Sequence, residues 1–155
     1  MSPEWKVFLL SASPIFELRG GIPLALTLNL PLWKAYILAV LGNMLPVIPL
    51  LLFLDRIASF FEKTSWGRKF FHWLFERTRK KAKIVERMEA LGLALFVAIP
   101  LPVTGAWTGS VAATIFRIKF KLAIISILGG VLLAGIIVSL VTYGGKWIIL
   151  KGGLG

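Results

Sequence analysis

The 155-residue chain has no cysteine, a single histidine (His72) and only seven acidic residues. Without cysteine there are no disulfides and no thiol chemistry, and one imidazole with seven scattered carboxylates leaves little for a zinc, iron or carboxylate-caged metal site. No metal, no cofactor and no catalytic residue is expected, and the chain is not expected to be an enzyme. Charge is scarce as well: 16% of residues are charged against 57% hydrophobic, and the mean hydropathy of +0.85 lies beyond ordinary water-soluble domains of this size. Ala35 to Leu54, Leu122 to Gly145 and Ala90 to Phe116 are uncharged runs of 20, 24 and 27 residues. Each could cross about 30 Å of hydrocarbon. These runs read as an all-α, multi-pass integral membrane protein of the cell membrane. Ahead of the first apolar stretch stand Glu4 and Lys6, with neither the basic leader nor the small-residue cleavage site of a signal peptide, so that stretch is expected in the mature fold.

The formal charge of +11 would suggest nucleic acid in a soluble protein, but ten of the eighteen Lys and Arg residues fall between Arg56 and Arg87, directly after a span. Segment 56–89 therefore reads as a cytoplasmic loop, with no nucleic-acid partner. Its apolar residues recur at helical spacing (Phe71, Leu74, Thr78, Ala82, Val85, Met88) opposite Arg77, Arg79, Lys80 and Lys83. That pattern predicts an amphipathic helix lying on an anionic leaflet, where each basic residue contributes about 1 kcal/mol of attraction.

An 87-residue shift of the chain along itself sets Gly42 over Gly129, Lys34 over Lys121 and Ala25 over Ala112, with matching hydropathy. Each half has a Pro- and Gly-interrupted apolar stretch, then an uninterrupted span, a pattern typical of transporter repeats. The interrupted stretches, Val7 to Trp33 and Ala90 to Phe116, are long enough to cross but are broken midway. Pro14, Gly20, Gly21 and Pro23 interrupt the first; Pro100, Pro102, Gly105 and Gly109 interrupt the second. Halves of about ten residues make about 15 Å of helix, half a bilayer. The expected architecture is two inverted repeats, each a re-entrant helical hairpin (3–32 and 90–117) followed by one transmembrane helix (33–55 and 119–147), in one membrane domain. A four-span bundle remains an alternative. The distribution of basic residues does not separate the two, since both place thirteen on the cytoplasmic face and four opposite.

Within the first break, Glu17 and Arg19 are the two ionisable residues at membrane depth. Charges there are costly and face a cavity or a partner. Two apart, they would point to different sides of a regular helix, so only irregular backbone brings them together. Gly20, Gly21 and Pro23 would begin a second half-helix whose free amides and positive dipole end point toward Arg19. The second break, with Pro100, Pro102, Thr104, Gly105, Trp107, Thr108 and Ser110, is uncharged but rich in hydroxyls. Thr104, Thr108 or Ser110 would cap the following half-helix, and Trp107 would supply an apolar wall. The bland alternative is that the hydroxyls only satisfy freed backbone groups. Asn43 is the one amide deep in a continuous span, suited equally to helix contact or substrate contact. Pro46 and Pro49 should kink that span, and Trp33, Tyr36 and Trp147 should be interface anchors.

On Glu17-Leu18-Arg19-Gly20-Gly21-Ile22-Pro23-Leu24, on Gly42-Asn43, and on Pro100-Leu101-Pro102 with Thr104 to Gly109, the chain resembles the putative small multidrug export proteins, relatives of the DedA, or VTT-domain, superfamily. The resemblance implies two opposed re-entrant hairpins and movement of lipid phosphates such as polyprenyl phosphate across the bilayer. The second break departs from larger DedA-type members in having neither acid nor arginine. Three functions follow as expectations. In the first, Arg19 and the half-helix termini hold an anionic lipid head group and Glu17 carries a proton. In the second, Glu17 is the carboxylate of an exporter of lipophilic cations. In the third, the chain is a non-transporting scaffold whose basic segment recruits a partner. Membrane lipids are the expected surroundings, a lipid phosphate or a lipophile the expected substrate, and so small a chain is compatible with a homodimer.

Overall fold

The computed structural model describes residues 1–81, 83–101 and 104–152, with the side chains of 55, 57–58, 81 and 83–87 outside the description. Among the described residues all regular structure is helical: α1 (Pro3–Ala12), α2 (Glu17–Thr27), α3 (Leu32–Met44), α4 (Val47–Phe61), α5 (Ser65–Lys81), α6 (Lys83–Ala98), α7 (Ala106–Ile115) and α8 (Phe120–Gly152). Two stretches are long and apolar enough to cross a membrane, Leu32–Leu54 and Phe120–Gly152. With the composition, they make this a membrane protein. By contrast α1, α2 and α7 have ten, eleven and ten residues, about 15 Å each and too short to cross alone.

The first crossing stretch is interrupted at Leu45 and Pro46, between α3 and α4. Pro46 has no N–H for the Gly42 carbonyl, which instead accepts from Leu45 N at 3.3 Å. Pro49 does not break α4, because it stands in the first turn, where amides have no partner within the helix. The second crossing helix passes the expected end at 147 and runs to Gly152, with Lys151 Nζ 4.3 Å above the Trp147 ring in its last turn.

The chain divides into two compact units, residues 1–45 with 132–155, and residues 46–131. In the first, α1, α2 and α3 pack against one another around Val7, Ala25 and Ala35, all fully buried. Small side chains set this spacing. Gly21 on α2 lies against Ser11 Oγ and the Val7 carbonyl, while Gly42 on α3 lies against the Phe8 carbonyl and Ser11, so two glycines admit α1 from two directions. Ser11 Oγ donates to the Val7 carbonyl at 2.7 Å, which satisfies a hydroxyl that is completely buried. At the start of α1, Lys34 donates to Glu4 Oε1 at 2.9 Å and ties it to the first turn of α3.

In the second unit, α7 packs on α4, α5 and α6. Leu50 and Leu54 of α4, Phe71 and Leu74 of α5 and Val111 of α7 form the core, with Trp107 and Ile115 against it. The amphipathic helix thus forms with its expected apolar face, Phe71, Leu74 and Thr78, all buried. Phe71 and Leu74 of that face are spent on α4 and α7 and not on lipid, since periodicity marks an apolar face but not what covers it. Met88 is 48% exposed, and the side chains of Ala82 and Val85 lie outside the described residues.

Both units repeat one local design. Helix α2 ends with Leu30 N donating to the Ala25 carbonyl and Asn29 N to the Leu26 carbonyl; α7 ends with Ile118 N donating to Ala113 and Arg117 N to Thr114. These are Schellman caps, with Asn29 (φ 57°) and Arg117 (φ 52°) in the left-handed position. Leu30 to Ile118 is a step of 88 residues, and the bond from Ala35 N to Pro31 recurs as Ala123 N to Lys119 at the same step. The structural register is therefore one residue longer than the identities suggested. It sets Gly21 over Gly109 and Gly42 over Gly130. Gly109 faces Val97, and Gly130 faces the Ala94 carbonyl and Val97, so this pair admits α6 much as the first pair admits α1.

Candidate functional site

The break between α1 and α2 is a turn over residues 13–16. Ser13 Oγ donates to the Leu10 carbonyl at 2.7 Å and accepts from Phe16 N at 3.3 Å, and Glu17 N donates to the Ser13 carbonyl at 3.1 Å. Helix α2 then starts at Glu17, three residues before the expected Gly20. Gly20 and Gly21 consequently lie inside it, as does Pro23. Turn hydrogen bonds that nucleate the helix early move its start upstream, and Gly20 N already donates to the Phe16 carbonyl at 2.9 Å. Pro23 brings no N–H to the Arg19 carbonyl, so the helix carries a local interruption beside the charged pair.

Glu17 sits at φ 49°, in the left-handed region. For a non-glycine residue this costs on the order of 1–2 kcal/mol. It is irregular backbone of the kind that two charges two residues apart require to meet. Their environments differ. Glu17 is buried, at 6% exposure, whereas Arg19 is only partly buried. Of the two charged residues, Arg19 is the less buried. Asn43, 1% exposed, is next to Gly42 in this unit, and its side-chain oxygen has no hydrogen-bond partner among the described residues. A buried amide oxygen left in that state costs about 1–3 kcal/mol.

The second break is built differently. Thr104 Oγ1 donates to the Ile99 carbonyl at 2.7 Å and to the Leu101 carbonyl at 2.9 Å, pinning the loop around Pro100. Pro102 lies outside the described residues. Helix α7 has Gly105 at its N-cap with no side-chain cap, so the expected capping by Thr104, Thr108 or Ser110 does not occur. Thr108 Oγ1 turns to the Gly105 carbonyl at 3.3 Å and Ser110 Oγ to the Ala106 carbonyl at 2.7 Å. All three hydroxyls are buried, and in an apolar setting the carbonyl acceptors already at hand satisfy them. Trp107 packs, partly buried, on the Leu50, Leu54 and Val111 cluster.

Sequence reasoning passed over three features. Ser11 carries the α1–α2 approach and was hidden within an apolar run. Asn29, a residue tolerant of φ > 0 two positions before a proline, was a legible cap signal. Tyr36 was expected as an interface anchor, yet its hydroxyl donates to the Leu132 carbonyl at 2.9 Å, just as Tyr143 donates to Leu30 at 3.0 Å. Outside the membrane-spanning segments, the hydrogen bond from Lys34 pulls the Glu4 carboxyl down to about 2.

The model of the family described as "Putative small multi-drug export protein" matches residues 17–137, from Glu17 at the start of α2 through the second break and into α8. No curated protein and no solved structure matches the chain significantly.

Proposed function

The chain belongs to this small multi-drug export family, and from that premise we propose that it is a transporter of anionic amphiphiles, a phosphate-bearing lipid above all, bound at Arg19. The carrying observation is the difference in burial between the two charges: Arg19 is partly buried and Glu17 is buried, in a stretch with no other charge between Lys6 and Lys34. Such a centre attracts an anion and offers a cation little. Glu17, the more buried of the two, is the group to take up or release a proton as the substrate moves. No bond of the substrate is made or broken, so the chain is a carrier and not an enzyme.

In this reading α1 with α2, and the end of α6 with α7, are re-entrant hairpins, and the two halves are inverted repeats. The short helices and the recurrence of caps and glycines at a step of 88 support it. The chain then crosses twice, with the basic helix α5 in the cytoplasm and both termini outside. A second copy of the chain, as a homodimer, would enclose the pathway further.

The test is binding to purified protein in detergent of a polyprenyl phosphate, a zwitterionic phospholipid and a lipophilic cation, each repeated with Arg19→Ala and Glu17→Gln. A charge-assisted hydrogen bond to phosphate contributes about 1.5–3 kcal/mol, so Arg19→Ala should weaken phosphate binding roughly 10- to 100-fold. The family's description favours a second reading, export of a lipophilic cation on Glu17. It predicts cation preference, lost in Glu17→Gln and kept in Arg19→Ala. If both variants keep full function and only charge reversal around Arg79 to Lys83 abolishes it, the chain is a scaffold.

A further inference from the structure

The Glu17–Arg19 centre accounts for a head group and leaves the rest of an amphiphile without a place. The first unit also holds an apolar cleft of about 820 Å³, between the start of α3 and the second half of α8. Two tyrosines build it. The Tyr36 ring lies over Gly135, where a Cβ would come within 2.7 Å of Cε2, and its hydroxyl is held by Leu132; the Tyr143 hydroxyl is held by Leu30. Both serve as rungs: Tyr36 reaches from α3 to α8, and Tyr143 from α8 to the connector that leads into α3. Because both hydroxyls are satisfied within the protein, the rings turn only apolar faces to the gap. Trp33 and Leu140 line it as well, at 65% and 70% exposure, and Gly144 leaves its end open. No charged residue lines it. The buried Ser139 hydroxyl, without a partner among the described residues, is its one unsatisfied polar group.

We propose that this cleft binds a long alkyl chain, the hydrocarbon part of the amphiphile whose anionic head the function above assigns to Arg19; in that respect it rests on that reading. Both walls belong to the two stretches able to cross a membrane, so the cleft opens to hydrocarbon and is filled from the bilayer. Its volume falls within the usual range of small-molecule sites. From Ile136 to Gly144 it follows about 12 Å of α8, an elongated shape that suits a flexible chain. A lipophilic cation would find ring faces but no acid to neutralise it.

A phospholipid carrying a photoreactive diazirine in its acyl chain, added to phosphatidylcholine proteoliposomes, tests this by peptide mapping after irradiation. Adducts should concentrate on 32–37 and 136–144, above those on the exposed Ile125 and Leu128. A Cβ at Gly144 meets nothing within 4 Å, so Gly144→Leu fills the cleft without a clash. It should lower cleft adducts roughly tenfold. Leu140→Trp should do the same from the middle of the cleft, and Gly129→Leu, also in open space, should not. Uniform labelling of every exposed face, or cleft labelling that survives Gly144→Leu, would mean surrounding lipid only and overturn the proposal. So would a photoreactive lipophilic cation that labels the cleft where the lipid does not. The two readings fail separately. Cleft labelling indifferent to head group and to Arg19→Ala sustains the cleft against the anion centre. Phosphate preference lost in Arg19→Ala but untouched by Gly144→Leu does the reverse.

Discussion

Gly129 and Gly130 are neighbours on α8 with opposite surroundings, and that contrast yields a self-controlled test of packing. A Cβ on Gly130 would stand 2.6 Å from the Ala94 carbonyl oxygen and 2.6 Å from Val97 Cβ; a Cβ on Gly129 meets nothing within 4 Å. Replacing either by alanine gains about 0.5–1 kcal/mol from the lower backbone entropy of the unfolded chain. At Gly130 the opposing atoms are a backbone carbonyl and a Cβ, neither of which can swing away, so α6 itself must shift. Overpacking of that kind costs about 1–3 kcal/mol. Gly129→Ala should therefore be neutral to slightly stabilised, and Gly130→Ala should lie below it by about 1–3 kcal/mol. Reversible unfolding in mixed micelles, titrated with a denaturing detergent and followed by circular dichroism, measures the gap. Equal midpoints for the two variants would refute the close approach of α6 to α8.

Four further outcomes follow. Glu17→Gly should unfold about 1 kcal/mol later than Glu17→Ala in the same titration, because glycine relieves the left-handed backbone; equal stability would remove strain from the account. Tyr36→Phe should lose about 1 kcal/mol with the bond to Leu132, and an unchanged midpoint would show that the rung carries no weight. The folded Glu4 carboxyl titrates near 2, below its free value of 4.5, so the clamp to Lys34 contributes fully above 4.5 and fades as pH falls toward 2. Hydrogen exchange at the start of α1 should quicken over that window, and Glu4→Gln should abolish the dependence. Because the chain has no cysteine, one added at each end reports topology; labelling by an impermeant maleimide only after lysis would sink the hairpin arrangement.

Element type was legible wherever period and length agreed. The two crossing stretches, the break at Pro46 and the buried stripe Phe71, Leu74, Thr78 all follow from hydropathy and proline geometry. What covers that stripe was not legible, since periodicity identifies an apolar face but not its partner. The start of α2 was missed because a serine-anchored turn and a glutamate at positive φ are decided by hydrogen bonds among residues 10–17, and a glutamate carries no mark of that conformation. In the second break the hydroxyl residues were visible but their direction was not. Thr104, Thr108 and Ser110 could donate backward or accept forward, and buried carbonyls within reach decided for the former. The recurrence of two helix caps at a step of 88 was not legible, because it rests on Asn29 and Arg117, whose side chains share nothing.

The partition of the chain also has a consequence for the order of assembly. Residues 46–131 are contiguous, so that unit has all its parts once α8 is one third made. The other unit joins residues 1–45 to residues 132–155 and stays incomplete until the second of these is made. Helices α1 to α3 thus wait for their neighbours in α8, a long loop closure of the sort that slows folding. Until then the uncovered ring of Tyr36 remains open to whatever the insertion machinery or the surrounding lipid presents, and a chain stopped before residue 132 would strand it there.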